Sequence, residues 1–331
     1  MSSATTAAAG EDDEVVHDFA PLLLVYKSSR LERPLATPRV PPRRDAATGV
    51  VSKDVALSPH SFMRLYLPPA AATAERKLPV VVYFHGGGFV IGSAGSAAYH
   101  RCLNDLAAAC PAVAVSVDYR LAPEHPVPAS YEASLAALKW ALSSSSSSAA
   151  AEADADPWLA AHGDPARVFL AGDSAGGNIC HHLAMHPDVK GAGLKGVVLI
   201  HPWFWGKDPI GGEPRSPASK SNQQQQKGLW EFVCPGAVDG VDDPQMNPTA
   251  PGAPGLETSF GGAGSCTRRR RRRAAPERTW SCSSPKESGM CSTCWSPRRR
   301  RPGSCWTGSR RLSVRNDEDD ALVVVYVVDI V

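Results

Sequence analysis

Gly172-Asp173-Ser174-Ala175-Gly176 is a G-x-S-x-G. A serine hydroxyl is exposed for attack on a carbonyl when it sits on a tight strand-to-helix turn, and only small neighbours leave room for that reversal. The surroundings suit such a turn. Arg167–Ala171 (RVFLA) predicts a short strand just before it, and Ala175–His186 predicts a helix just after it. A second glycine-rich stretch, His85-Gly86-Gly87-Gly88-Phe89, follows another strand-forming run. Consecutive glycines let the backbone approach a ligand closely and aim N–H donors at a developing oxyanion. Either motif alone is compatible with a plain glycine turn; occurring together, they select acyl transfer, with Ser174 as the candidate nucleophile.

A serine needs a histidine to take its proton and an acid to orient that histidine. In this kind of fold the chain order is Ser, then Asp or Glu, then His. All ten histidines lie at or before His201, and residues 202–331 contain none. His85 belongs to the glycine loop. His181, His182 and His186 lie on or at the end of the helix leaving Ser174, and His201 ends the next strand, so none is placed to act as the base. The acid is equally elusive. Leu256–Arg311 contains no Asp, and Asp317–Asp320 reads as a solvated run that no histidine follows. The triad Asp and His are therefore not found.

The elements that must hold these residues read as a doubly wound, mostly parallel α/β sheet. Leu78–His85 (LPVVVYFH) is a continuous apolar run suited to a strand buried on both faces. Tyr99–Cys110 predicts a helix, Ala112–Asp118 a strand, Tyr131–Leu142 a helix and Gly196–Ile200 a further strand, while Val50–Pro68 reads as a hairpin. This alternation is the signature of βαβ units.

With 331 residues, of which 43% are hydrophobic, the chain can form one large α/β domain. No stretch reaches the roughly 18 apolar residues of a membrane span, and the acidic start lacks the basic-then-apolar order of a secretory signal. A cytoplasmic location is expected, with Cys102, Cys110, Cys180 and Cys234 as reduced thiols. Nothing in the residues calls for a metal or other cofactor.

Residues 257–331 are of a different kind. From residue 256 onward the chain holds 15 of the 35 Lys and Arg but only 8 of the 33 Asp and Glu, which leaves the preceding body mildly acidic. Leu256–Arg311 has no Val, Ile, Tyr, His, Asn or Gln, yet it has 13 Arg, five Cys and three Trp. No apolar period remains from which to build strands or helices. Such a composition is what a GC-rich coding sequence gives when read out of frame, so a shifted frame near residues 257–260 is expected. Arg268–Arg273 and Arg298–Arg301 could attract nucleic acid or act as a nuclear signal, but an unselected basic tail accounts for them. Cys291 and Cys294 lack a second pair at zinc spacing. Ala321–Val331 (ALVVVYVVDIV) is strongly strand-forming. It could fill an empty sheet edge or promote aggregation.

Three blocks, HGGGF at His85–Phe89, DYRLAPEHPVPA at Asp118–Ala129 and GDSAGGN at Gly172–Asn178, resemble the hormone-sensitive-lipase type of α/β-hydrolase. Together with VYKSSRLER at Val25–Arg33 and TGVVSKDV at Thr48–Val55, they are similar to the plant carboxylesterases related to the gibberellin receptors. The resemblance runs from about residue 14 to about residue 256. It implies an α/β-hydrolase fold, Ser174 as nucleophile and the N–H groups of Gly87, Gly88 and Ala175 as the oxyanion hole. His85, Gly86, Gly172, Asp173 and Gly176 support that motif, Asp173 as a structural or positioning residue. His201 resembles a structural position, and Asp239, Asp242 and Asp243 resemble a loop that precedes the strand carrying the catalytic aspartate.

The resemblance also implies a lid at about 14–45 over a core at about 50–256. Residues 1–13 are expected to be disordered, 143–156 a flexible insertion, 257–331 a non-homologous basic tail, and the last strands missing or disordered. The expected activity is hydrolysis of small-molecule esters, without metal, membrane or nucleic acid as partner. The alternatives are a catalytically dead protein binding a small acid, as the gibberellin receptors do, and a non-functional product whose basic tail contacts nucleic acid.

Overall fold

The computed structural model describes residues 14–59, 61–145, 156–189, 192–208 and 228–253, with four short strands between 279 and 327. Strands β1 (Val15–Phe19), β2 (Leu23–Tyr26) and β3 (Leu31–Glu32) form a small antiparallel sheet near the N-terminus. Phe19, Leu22 and Leu23 are buried, so the apolar run anchors this segment to the main core.

The main sheet begins with the hairpin of β4 (Val51–Ser58) and β5 (Ser61–Leu67). It continues through β6 (Leu78–Phe84), α1 (Ala97–Ala109), β7 (Val113–Asp118), α2 (Ala129–Ser145), α3 (Pro157–His162), β8 (Gly163–Asp173), α4 (Ala175–Met185) and β9 (Leu194–Ile200). Residues 228–233 add a helical turn. Thr279–Cys282 (β10), Trp295–Ser296 (β11) and Leu312–Ser313 (β12) form a separate small sheet, and Val323–Val327 is β13. The seven-stranded order is β13-β9-β8-β6-β7-β5-β4. β5 is antiparallel to both its neighbours, and the strands from β7 to β13 run parallel. This is the doubly wound, mostly parallel sheet expected.

Every residue of β7 is buried, as is most of β6, which is why these strands read as unbroken apolar runs rather than alternating ones. The sequence places the later elements well but not their ends. β8 starts at Gly163, ahead of RVFLA, and α2 runs on to Ser145, into the stretch expected to be a flexible insertion. Asp156, at the far end of that stretch, caps α3 by accepting the Trp158 N–H at 2.9 Å. β13, from the tail, lies parallel to β9, with Val323 opposite Gly196 and Val327 opposite Ile200, the edge position that the strand-forming run Ala321–Val331 was expected to be able to fill. A β-branched run needs only backbone partners to join an edge. The expectations for residues 1–13, for the rest of the 143–156 insertion, for most of 257–331 and for Cys291 and Cys294 fall outside the described residues.

Candidate active site

The loops following β6, β8 and β9 leave the same end of the sheet, and each places a non-glycine residue in the left-handed region: Phe89 (φ 62°), Ser174 (φ 51°) and His201 (φ 42°). Such backbone persists only where its surroundings over-determine it. At Ser174 they do. Its N–H donates to Ile200 O at 2.9 Å, and its carbonyl accepts the N–H groups of Trp203 at 2.8 Å and Asn178 at 3.1 Å. The Ser174 hydroxyl does not cap α4. A Cβ on Gly176 would collide with the Phe84 carbonyl, and one on Gly172 would run into Gly176, which accounts for both glycines of the G-x-S-x-G.

Asp173 joins this turn to the glycine loop. Its carboxylate accepts the Tyr83 hydroxyl at 3.0 Å, the Tyr99 hydroxyl at 2.9 Å and the Gly86 N–H at 3.1 Å. Burial raises its pKa above the usual carboxylate range, while the bonds from Tyr99 and Tyr83, the nearby His85 and the Gly86 N–H pull it back down.

Beyond Gly86 the loop turns sharply, with Gly87 at φ 120° and its carbonyl accepting the N–H groups of Val90 and Ile91, each at 3.0 Å. Among the described residues, the N–H groups of Gly87, Gly88 and Ala175 meet no acceptor. Phe89 plugs the loop into the core. It is fully buried against Tyr131 (5.9 Å between ring centroids), Trp203 (5.8 Å) and Trp230 (6.4 Å).

Side chains of the N-terminal segment and of residues 228–233 pack beside the glycine loop. A Cβ on Gly88 would stand 3.1 Å from Leu229 and 3.3 Å from Leu22, and Phe19 packs on Phe232 at 5.0 Å.

The histidines are engaged elsewhere. His85 is fully buried, stacked on Tyr119 at 4.2 Å, with its Nδ1 2.8 Å from Gly86 O, so Nδ1 carries the proton. Burial lowers its pKa. His181 packs edge-on to Phe204, and His182 stacks on Tyr131 at 3.9 Å. Burial pushes both down to about 4, far from the near-neutral value a general base needs. The His186 Nδ1 accepts the Asp188 N–H at 3.2 Å. Asp242 pairs with Lys207 at 3.0 Å and accepts from Asn247, and Asp243 accepts the Gln245 N–H. These acids hold a turn together.

Sequence reasoning missed several supports. Asn178 accepts the Tyr131 hydroxyl at 2.7 Å and donates to the carbonyls of Trp203 and Gln245, tying α4 to two distant loops. It lies within the GDSAGGN block, but nothing local signals its partners. Among the described residues, no group of three or more His, Cys, Asp or Glu could hold a metal ion, and no helix is long and apolar enough to cross a membrane.

Residues 81–278 match a family described as alpha/beta hydrolase fold. The chain is 46% identical over 248 residues to "Tuliposide A-converting enzyme 1, chloroplastic" of Tulipa gesneriana, covering 74% of this chain and 60% of that protein. It is 43% identical to "Probable carboxylesterase 13" of Arabidopsis thaliana, covering 71% of this chain and 74% of that one. With "2-hydroxyisoflavanone dehydratase" of Glycyrrhiza echinata the identity is 42%, over 78% of this chain and 79% of that one. The chain thus spans about 60% of the length of the tulip enzymes it matches.

Proposed function

Because this chain belongs to the α/β-hydrolase fold family, in its plant carboxylesterase branch, we propose that its site hydrolyses small carboxylic esters through an acyl-enzyme on Ser174. The observation that carries this reading is the set of three N–H groups, at Gly87, Gly88 and Ala175, that meet no acceptor among the described residues, on the two loops joined by Asp173. A name such as dehydratase among the relatives means that membership alone does not fix the reaction; the residues of the site do.

In the proposed mechanism, Ser174 Oγ attacks the ester carbonyl, the oxygen that becomes negative takes its hydrogen bonds from Gly87, Gly88 and Ala175, and the alcohol leaves. Water then attacks the acyl-enzyme and releases the acid. The chemistry calls on no metal or cofactor. The catalytic unit corresponds to residues 14–256, with about 14–45 as a lid over the acyl pocket.

No histidine follows His201 within the 331 residues, and in this reading solvent water takes the serine proton. Turnover should then fall by a factor on the order of 10⁴ to 10⁶ below that of a complete triad. Esters whose leaving group departs without protonation, such as nitrophenyl esters, suffer least. The test is hydrolysis of a short-chain nitrophenyl ester by the 331-residue protein beside Ser174→Ala, with the unsubstituted protein expected to be faster. Equal rates would overturn the esterase reading. They would favour a second one, in which the same three N–H donors, lacking a base, bind the carboxylate of a small acid.

A further inference from the structure

Arg33, just after β3, lies 57 residues before Val90 yet donates from Nε to Val90 O at 2.6 Å. Its Nη2 reaches Ala122 O at 3.2 Å and Glu124 Oε2 at 2.6 Å. Val90 closes the turn that begins at Gly87, and Phe89, the non-glycine residue between them in the left-handed region, accepts the Ala122 N–H at 2.9 Å. One guanidinium therefore bridges the two chain segments where they already touch, binding a carbonyl on each.

We propose that Arg33 is a positioning residue for the oxyanion donors of the glycine loop, an inference that rests on the esterase reading. The turn from Gly87 to Val90 is held in backbone conformations that most residues avoid, so the orientation of its peptide planes depends on what grips its carbonyls. The Gly87 carbonyl is gripped from within by Val90 and Ile91, the Phe89 carbonyl by Ala122 and the Val90 carbonyl by Arg33. If the Val90 peptide swings, the turn relaxes and the Gly87 and Gly88 N–H groups swing with it.

Only arginine has the planar fork needed to serve both carbonyls and a carboxylate at once; a lysine ammonium is a point donor. The fork is itself held in place. The Arg33 carbonyl accepts the Ala36 N–H at 2.9 Å, and the Leu35 N–H donates to Pro21 O at 3.2 Å, so the strap is fixed to the N-terminal segment. Partial burial raises the Glu124 carboxyl, but the hydrogen bond and charge of Arg33, together with a backbone hydrogen bond at Glu124 itself, leave the pKa below the usual range. The donor side of the site is thereby tied to the segment that walls it at Leu22.

Hydrogen exchange on the full 331-residue protein tests this without needing turnover. In Arg33→Met the amides of Val90 and Ile91 should exchange about tenfold faster or more, while those of Val113–Asp118 keep their protection; Arg33→Lys should fall between. In parallel, the Ser174-dependent hydrolysis should lose about 10- to 100-fold in kcat with little change in KM. Unchanged exchange at Val90 and Ile91, or loss of protection throughout the sheet, would overturn the positioning role, as would an effect on KM alone. An absence of Ser174-dependent hydrolysis would sink the esterase reading separately, leaving the exchange result to judge whether Arg33 grips the loop.

Discussion

The Tyr99 hydroxyl donates to Asp173 Oδ2 at 2.9 Å and accepts the Gly86 N–H at 2.8 Å. One side chain on α1 thus binds both the residue before Ser174 and the residue before Gly87. Since Asp173 Oδ1 also takes the Gly86 N–H, that N–H is shared between two acceptors. The geometry of the proposed nucleophile and oxyanion donors therefore depends on a carboxylate that need never touch the substrate.

Asp173→Asn should expose that dependence. The amide keeps the volume but replaces one acceptor oxygen with a donor, so the hydroxyl proton of Tyr83 or of Tyr99 loses its partner, whereas the Gly86 N–H keeps the Tyr99 hydroxyl. Leaving a buried donor unpaired costs about 1–3 kcal/mol, which urea denaturation would detect. Ser174-dependent ester hydrolysis should fall by about tenfold or more even where the protein remains folded. A fully stable variant with unchanged hydrolysis would mean that Tyr83 and Tyr99 hold the two loops together without the carboxylate.

Stability should also fall in mild acid, and His182 should account for part of the fall. Its folded pKa of about 4 lies below the ordinary 6.5, so the unfolded chain takes up a proton first as the pH drops. Its contribution is complete above about pH 6.5 and is lost progressively as the pH falls toward about 4. At about pH 5 the loss is at most about 2 kcal/mol for this one group, and His181 adds a similar effect. His182→Phe retains a ring against Tyr131 and removes the titration. Thermal melts at about pH 7.5 and about pH 5 should show a smaller difference for this variant than for the parent protein. Equal differences would mean that His182 is reached by solvent and titrates normally.

What could be read from the sequence follows the range of the interactions involved. The turn at Ser174 was legible because steric demands on Gly172 and Gly176 act within a few residues, and the sheet was legible because burial on both faces leaves unbroken apolar runs at Leu78–Phe84 and Val113–Asp118. The grip of Tyr83 and Tyr99 on Asp173 was not, since it spans 90 and 74 residues and no local pattern marks a tyrosine as a partner. Arg33 was invisible for the same reason. It reads as one more charge in VYKSSRLER, and only the packing of β3 brings it to Val90. The roles of Ser174, Gly87, Gly88 and Ala175 remain those implied by the motifs, now set in loops that adjoin.

The strand at Val323–Val327 admits opposite predictions, and deleting residues 321–331 separates them. β13 pairs with β9 over five residues, from Val323 opposite Gly196 to Val327 opposite Ile200. Removing it would strip β9 of its outer partner and leave a row of unpaired N–H and C=O groups, the kind of edge that templates association between chains. If the strand closes the sheet, the truncated protein should scatter more light as its concentration rises and should unfold at lower temperature. If the valine run is instead the sticky element, truncation should make the protein more soluble. The sign of the change in scattering therefore decides whether this segment protects the fold or endangers it.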